Sequence, residues 1–351
     1  MTADWLNVPC ASVNTEMQNL ARDRQGRLTK PPGALGRLET VAIQLAGLQG
    51  RELPQIDTVH ITVFAGDHGV AAQGVSAFPQ AVTAEMVRNF ARGGAAINVL
   101  AKSIGASLQV INLGTAVDPG DLPLVQQARL GPGTQDFTQE AAMSEQQLFA
   151  ALNTGRQAAE KAALEKTHLF IGGEMGIGNT TAAAAVACAL LNQDAAELAG
   201  PGTGLDDSGV QHKIKVINQA LQLHQSALND PLQVLRCLGG FEIAAMTGAF
   251  ISCAHTGTPV LVDGFISSVA ALLAQAICPG ASQWFLYAHR SAEPGHRHIV
   301  EALDAKPLLD MGMRLGEGSG AATAVPLLRL ACALHANMAT FAEAGVSEKE
   351  N

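Results

Sequence analysis

The chain has 351 residues, 48% of them hydrophobic and 15% charged, enough apolar material for one large domain or two modest ones and too much for a disordered chain. Its formal net charge of -9, with no run of lysine or arginine, excludes an extended nucleic-acid surface, which needs clustered cations. Thirty-six glycines against 4% aromatic residues point to close backbone packing and glycine loops, not to aromatic platforms for stacking bases.

The N-terminus carries Asp4 and Glu16 and lacks a basic-then-apolar leader pattern, so a cytoplasmic protein is expected. Residues 13–50 read as helices broken at Pro31-Pro32-Gly33, where proline ends a helix and glycine permits the turn. Beyond that the chain alternates. Short β-branched runs at 59–64, 108–113, 168–171, 259–262 and 284–287 are separated by alanine-rich helical stretches such as 181–191 and 266–277. Buried strands alternating with helices predict a mostly parallel, doubly wound α/β sheet. The apolar stretch 243–276 is interrupted by His255, Thr256, Pro259 and Asp263, which marks a core segment and not a membrane span. A last helix is expected over about 321–341, with a polar tail that frays after Gly345. Pairing it with the N-terminal helices gives a small helical domain from 1–50 and 321–351 beside a large α/β domain over 51–320. The six cysteines are scattered without a C-x-x-C pair and read as small buried hydrophobes in a reducing compartment.

Chemistry collects after the strands, at the carboxyl edge where open α/β sheets bind ligands. The richest segment, Gly172-Gly173-Glu174-Met175-Gly176-Ile177-Gly178-Asn179-Thr180-Thr181, lies between a strand and a helix and offers N–H groups to an anion. It nearly fits P-loop spacing from Gly173 to Gly178, but Asn179 stands where the lysine belongs, which disfavours a nucleoside triphosphatase. A tight turn with an Asn/Thr cap is the plain alternative; Glu174 would be an odd choice for a mere turn. Gly200-Pro201-Gly202-Thr203-Gly204, followed by a helix bearing Lys213, suits a monophosphate, although a lone helical lysine is usually solvated surface. Gly316-Glu317-Gly318-Ser319-Gly320 presents one acid among glycines before the last helix, and spacing alone leaves a ligand role and a helix-capping role for Glu317 about even. Asp67-His68 suggests a metal pair, yet His289, His296 and His298 add no recognised ligand spacing.

Taken together and in order, Lys30-Pro31-Pro32-Gly33-Ala34-Leu35-Gly36-Arg37-Leu38-Glu39, Ala65-Gly66-Asp67-His68-Gly69-Val70, Gly173 to Thr181 and Glu317-Gly318-Ser319-Gly320 closely resemble the nicotinate-nucleotide:dimethylbenzimidazole phosphoribosyltransferase family. The resemblance spans nearly the whole chain. It implies a homodimer with a Rossmann-like large domain and a small helical domain from both termini, needing no metal or organic cofactor. The implied reaction takes nicotinate mononucleotide and 5,6-dimethylbenzimidazole to α-ribazole 5′-phosphate and nicotinate. By the same resemblance Glu317 is the general base and Glu174 a second catalytic-site carboxylate. Gly176, Asn179, Thr180, Gly202, Thr203, Gly204, Lys213, Asp263, Ser291 and Arg314 lie near the phosphate and ribose, and Phe78, Met86, Met175 and Leu315 line the base pocket. Burial against that pocket is expected to raise the Glu317 pKa. Two rival readings are a metal-assisted phosphohydrolase using Asp67, His68 and Glu174, and a non-catalytic nucleotide-binding module.

Overall fold

The computed structural model describes residues 4–347, so most of the tail after Gly345, where fraying is expected, lies outside the described residues. Six strands, β1 (Val59–Gly66), β2 (Ser107–Gly114), β3 (Val125–Gln127), β4 (Leu169–Met175), β5 (Val260–Val262) and β6 (Phe285–Tyr287), form one sheet in the order β3-β2-β1-β4-β5-β6. Every pairing is parallel. This is the doubly wound Rossmann order, in which the chain reverses direction across the sheet between β1 and β4. The register sets Val59 opposite Leu169 and Ala65 opposite Met175, so both central strands end at the same level. β1 is buried along its whole length, His60 and Thr62 included, as a central strand between two helical layers must be. Five of these strands are legible in the sequence and β3 is not. That strand has only three residues, and its Gln126 and Gln127 are exposed at the sheet edge, so no apolar pattern announces it.

The helices follow in chain order as α1 (Thr15–Arg27), α2 (Arg37–Gln49), α3 (Ala81–Arg92), α4 (Ala96–Ile104), α5 (Glu145–Leu164), α6 (Asn179–Leu191), α7 (Ala195–Leu198), α8 (Asp207–His224), α9 (Pro231–Leu238), α10 (Phe241–Thr256), α11 (Phe265–Ile277), α12 (His296–Ala302), α13 (Ser319–Asn337) and α14 (Phe341–Ala344). α10 is buried from Phe241 to Ala254, which accounts for the long apolar stretch, and no helix among the described residues is long and apolar enough to cross a membrane. α10 lies backbone-to-backbone on α5: a Cβ on Gly155 would overlap the Ala245 carbonyl oxygen, and one on Gly248 the Leu152 carbonyl oxygen. α6 is walled by alanines on every side and almost wholly buried, as a helix hydrophobic all round must be.

The Lys30–Glu39 motif proves to be a turn held by its own ion pair. Lys30 Nζ meets Glu39 Oε2 at 2.9 Å and donates to the Gln25 carbonyl, while the Glu39 carboxylate accepts the Leu35 and Gly33 amides. It fixes the angle between α1 and α2. Arg24 donates to the His335 and Ala336 carbonyls, and Leu28 forms a β-bridge with Thr340, so α1 and its exit are tied to the end of α13. α13 stops at Asn337, short of the expected 341; the chain bends there and restarts at α14 under a Thr340/Glu343 capping box.

Candidate active site

The ends of β4, β5 and β6 open onto one cavity of about 530 Å³, a size that suits a nucleotide or a comparable small molecule. It receives Glu174 and Met175 from β4, Asp263 just past β5 and His289 just past β6. Of the residues expected from the sequence, Phe78, Met86, Glu174, Met175, Gly176, Asn179, Thr180, Gly202, Thr203, Asp263, Ser291, Arg314, Leu315 and Glu317 line it. Gly204 does not: its amide closes a turn onto the Pro201 carbonyl at 3.0 Å and is no free anion donor. Lys213 sits behind the wall, fully buried, with Nζ donating to Gly200 O at 3.0 Å and Thr180 Oγ1 at 3.2 Å.

Glu317 occupies the most constrained position in the cavity. Gly316, Glu317 and Gly318 have φ of 88°, 63° and 83°, three successive residues in the left-handed region, which a non-glycine residue enters at a cost of about 1–3 kcal/mol. The loop is pressed onto the end of β4. A Cβ on Gly173 would overlap the Glu317 carbonyl oxygen, a Cβ on Gly316 would overlap Glu174 Oε1, and the Glu317 amide donates to Glu174 O at 3.3 Å. The Glu317 carboxylate reaches away from α13 and accepts the Ile97 amide at 3.0 Å, at the start of α4. Capping of α13 falls instead to Asp263, whose Oδ1 accepts the Ala321 amide at 2.7 Å. Of the two roles the sequence left open for Glu317, capping its own helix is therefore filled by another residue.

Glu174, Asp263 and Glu317 are buried carboxyls within one wall, and all three are shifted upward. Burial is the main cause for Glu317, with Asp263 adding to it and the Ile97 amide opposing. Glu174 is raised well above the ordinary value by burial and then by Glu242, Asp263 and Glu317, against the Asn179 side-chain amide that donates to its Oε2. Asp263 is raised by burial, which outweighs His289 and the backbone amides it accepts. Asn179 is thus committed to orienting Glu174. On the opposite wall burial pushes Lys213 down to about 8, partly offset by Glu293, and Glu293 is itself raised by burial. Arg314 donates to Gly202 O at 2.8 Å, which locks the second glycine loop to the segment carrying Glu317.

The remaining face is apolar. Phe78, Val82 and Met86 oppose Met175, Ile177 and Leu315, with Phe78 50% and Leu315 60% exposed at the rim. Val82, Ile177, His289, Glu293, Gly316 and the stretch from Gly264 to Ser267 also line the cavity, beyond the residues individually assigned a site role from the sequence. His289 and Glu293 flank Ser291 after β6, so the rule that chemistry follows strands pointed at them; the apolar ones carry no such signal.

Asp67 and His68 lie beneath the cavity. Asp67 accepts the Thr83 hydroxyl and the Ala116 amide, and Thr83 Oγ1 in turn accepts the Ile177 amide. His68 Nε2 pairs with Glu242 Oε1 at 2.8 Å, both fully buried. The motif is a brace for the cavity floor, and the metal-assisted reading loses two of its three ligands to it.

A family model described as Phosphoribosyltransferase matches residues 10–346. Proteins named nicotinate-nucleotide–dimethylbenzimidazole phosphoribosyltransferase from Pseudomonas aeruginosa (strain UCBPP-PA14) and Pseudomonas putida (strain KT2440) are each 59% identical over 349 residues, 99% of this chain and 99% of theirs. The crystal structure of CobT from Thermus thermophilus is similar at a TM-score of 0.91 and 44% identity, covering 95% of this chain and 100% of that one.

Proposed function

The chain belongs to this phosphoribosyltransferase family, and from that premise we propose that it moves the 5-phosphoribosyl group of nicotinate mononucleotide to 5,6-dimethylbenzimidazole. The products are α-ribazole 5′-phosphate and nicotinate, and the reaction serves cobalamin nucleotide assembly.

The observation that carries the reading is the placement of Glu317: a carboxyl raised by burial, held in a strained loop, on the edge of an apolar slot. The slot between Met86 and Met175 takes the flat azole, and soft methionine side chains mould to its methyl groups. Glu317 accepts the azole N–H proton while the other ring nitrogen bonds to the anomeric carbon of the ribose. The bond from that carbon to the nicotinate nitrogen breaks on the opposite face, and the electron pair goes to the pyridinium nitrogen, which becomes neutral. The leaving group therefore needs no acid, and one base suffices. Direct displacement inverts β to α, by the logic of an inverting glycosidase. Glu174, fixed by Asn179, faces the positive charge that builds on the ribose ring. The phosphate is received by the wall of Thr180, Gly202, Thr203, Ser291 and Arg314, with Lys213 behind it supplying positive charge. Gly176 contributes close backbone approach. The helical domain from 1–50 and 321–351 and the homodimer belong to the same proposal.

Incubating the purified chain with both substrates in the presence of chelator, followed by chromatography and mass analysis, tests it. Matched appearance of nicotinate and α-ribazole phosphate is expected; absence of both, across a panel of azoles, purines and phenols, would overturn it.

A further inference from the structure

Three residues far apart in sequence meet at the other edge of the sheet. Cys10 Sγ and Cys278 Sγ are 3.5 Å apart, and Cys278 Sγ is 3.5 Å from His255 Nε2. The three ligand atoms all lie within 4.8 Å of one another. A tetrahedral zinc ion, with Zn–S of about 2.3 Å and Zn–N of about 2.0 Å, sets two thiolate sulfurs about 3.8 Å apart and a sulfur and an imidazole nitrogen about 3.5 Å apart. The two spacings at Cys278 match within a few tenths of an ångström, and the Cys10 sulfur and the His255 imidazole lie within 4.8 Å of each other. The sulfur–sulfur spacing is too long for a disulfide, whose sulfurs sit about 2.05 Å apart. The Val8 carbonyl oxygen, 3.9 Å from Cys278 Sγ, offers an oxygen for a fourth position.

The setting is a junction. Cys278 follows the last residue of α11, and His255 is in the last turn of α10, the helix that leads through a short turn into β5. α11 begins at Phe265 in the active-site wall and runs 13 residues, which puts its far end about 20 Å away, at the amino edge. Cys10 lies on the segment that precedes α1. That segment is otherwise held there by the Ala11 amide on Ala254 O at 2.9 Å and by Trp284 Nε1 on Ala11 O at 3.0 Å. Trp5 packs edge-on to His255, with ring centroids 6.2 Å apart, and covers the imidazole.

We propose that Cys10, His255 and Cys278 form a structural site for a thiophilic divalent cation, with Zn²⁺ the best match, that clamps the N-terminal segment to the ends of α10 and α11. Two sulfur ligands and one imidazole are the donor set such ions select, whereas Mg²⁺ and Ca²⁺ require oxygen. Binding displaces the two thiol protons to solvent, and two thiolates neutralise the divalent charge, so the half-buried cluster carries no net charge. The site is separate from the transferase chemistry and requires no metal there.

Equilibrium dialysis of the full chain against Zn²⁺ buffered by a chromophoric chelator tests the assignment. One zinc per chain is expected, with Cys10 and Cys278 protected from alkylation and a melting temperature several degrees higher than in the zinc-free chain. Co²⁺ in its place should give thiolate-to-metal charge-transfer absorption in the near ultraviolet. Cys10→Ser and Cys278→Ser should each lose binding and the thermal shift; unchanged far-ultraviolet circular dichroism shows that they fold, and His255→Asn is a third, independent variant. Zinc retained equally by both serine variants, or no zinc retained by the wild-type chain, would overturn the site. A Cys10–Cys278 disulfide forming with peroxide in a chain that does not bind zinc would do the same and assign the pair to thiol oxidation.

Discussion

Glu317 Oε2 accepts the Ile97 amide at 3.0 Å across 220 positions of sequence, which ties the Glu317 carboxyl to the start of α4. The helix terminus alone would favour the ionised carboxylate. Burial outweighs it, Asp263 reinforces burial, and the Glu317 carboxyl stands above its ordinary value. That conflict suits the proposed base role, because a general base is most effective with a pKa near the working pH. The base must be ionised to work, so kcat/KM should fall tenfold per pH unit on an acid limb centred above the ordinary glutamate value of about 4.3. Glu317→Gln keeps an acceptor for Ile97 and should lower kcat by roughly 10²- to 10⁴-fold, abolish that limb and leave the nucleotide KM within a few-fold. Steady-state kinetics across pH read all three quantities, and equal losses in kcat and in nucleotide affinity would reassign the residue to binding.

Glu174 carries a penalty that pH should reveal. Its folded pKa lies above its unfolded one, so the folded state holds the extra proton between the two values. Stability is fully present below about 4.3, the unfolded value, and is lost as pH rises through the folded pKa. Glu174→Gln removes the charge and keeps an oxygen for Asn179, so it should melt higher than wild type at pH 7 to 8, with the gap closing toward pH 4. Thermal melts across that range decide it. A wild-type chain more stable at pH 7 would mean that the carboxylate contacts outweigh its desolvation.

Lys213 should impose the alkaline limit. Burial brings it down to about 8, so above that pH the free enzyme loses the charge behind the phosphate wall. kcat/KM for the nucleotide should fall through about pH 8, while the limb in kcat moves higher, because bound phosphate favours the ammonium form. Lys213→Met should weaken nucleotide binding roughly 10- to 100-fold at pH 7 and erase the alkaline limb. Binding titrations at pH 7 and 9 distinguish this from a packing role, which would weaken binding equally at both.

The sequence made the sheet legible because its strands are buried runs bounded by glycine, and made the cavity legible because chemistry gathers where those runs end. Glu174 stood out as an acid that a mere turn does not need, whereas Glu317 was legible only as an acid among glycines, with helix capping an equal alternative. What stayed hidden is how the site is held. Ile97 contributes a backbone amide to Glu317, invisible in any side-chain pattern, and Asp263, expected at the site, also caps a helix that starts 56 positions later. Lys30 and Glu39 belonged to a motif quoted for its family resemblance, and their ion pair across the turn was not visible in it. The cysteines were read as inert because sequence spacing cannot show that residues 10 and 278 converge.

The α5–α10 seam offers the sharpest test of the fold itself. Gly155 and Gly248 let two helix backbones touch, so a methyl group at either meets a carbonyl oxygen, not a yielding side chain. Helix propensity alone predicts that Gly→Ala stabilises by about 1 kcal/mol. Overpacking costs typically 1–3 kcal/mol and wins here, because relief requires moving an entire buried helix. Gly155→Ala and Gly248→Ala should each lose about 2 kcal/mol or more in urea unfolding. The first methyl group forces the helices apart and makes room for the second, so the double variant should cost less than the sum of the singles. Strict additivity would mean that the helices yield locally at each glycine, and a net stabilisation would mean that the seam is looser than the backbone contacts require.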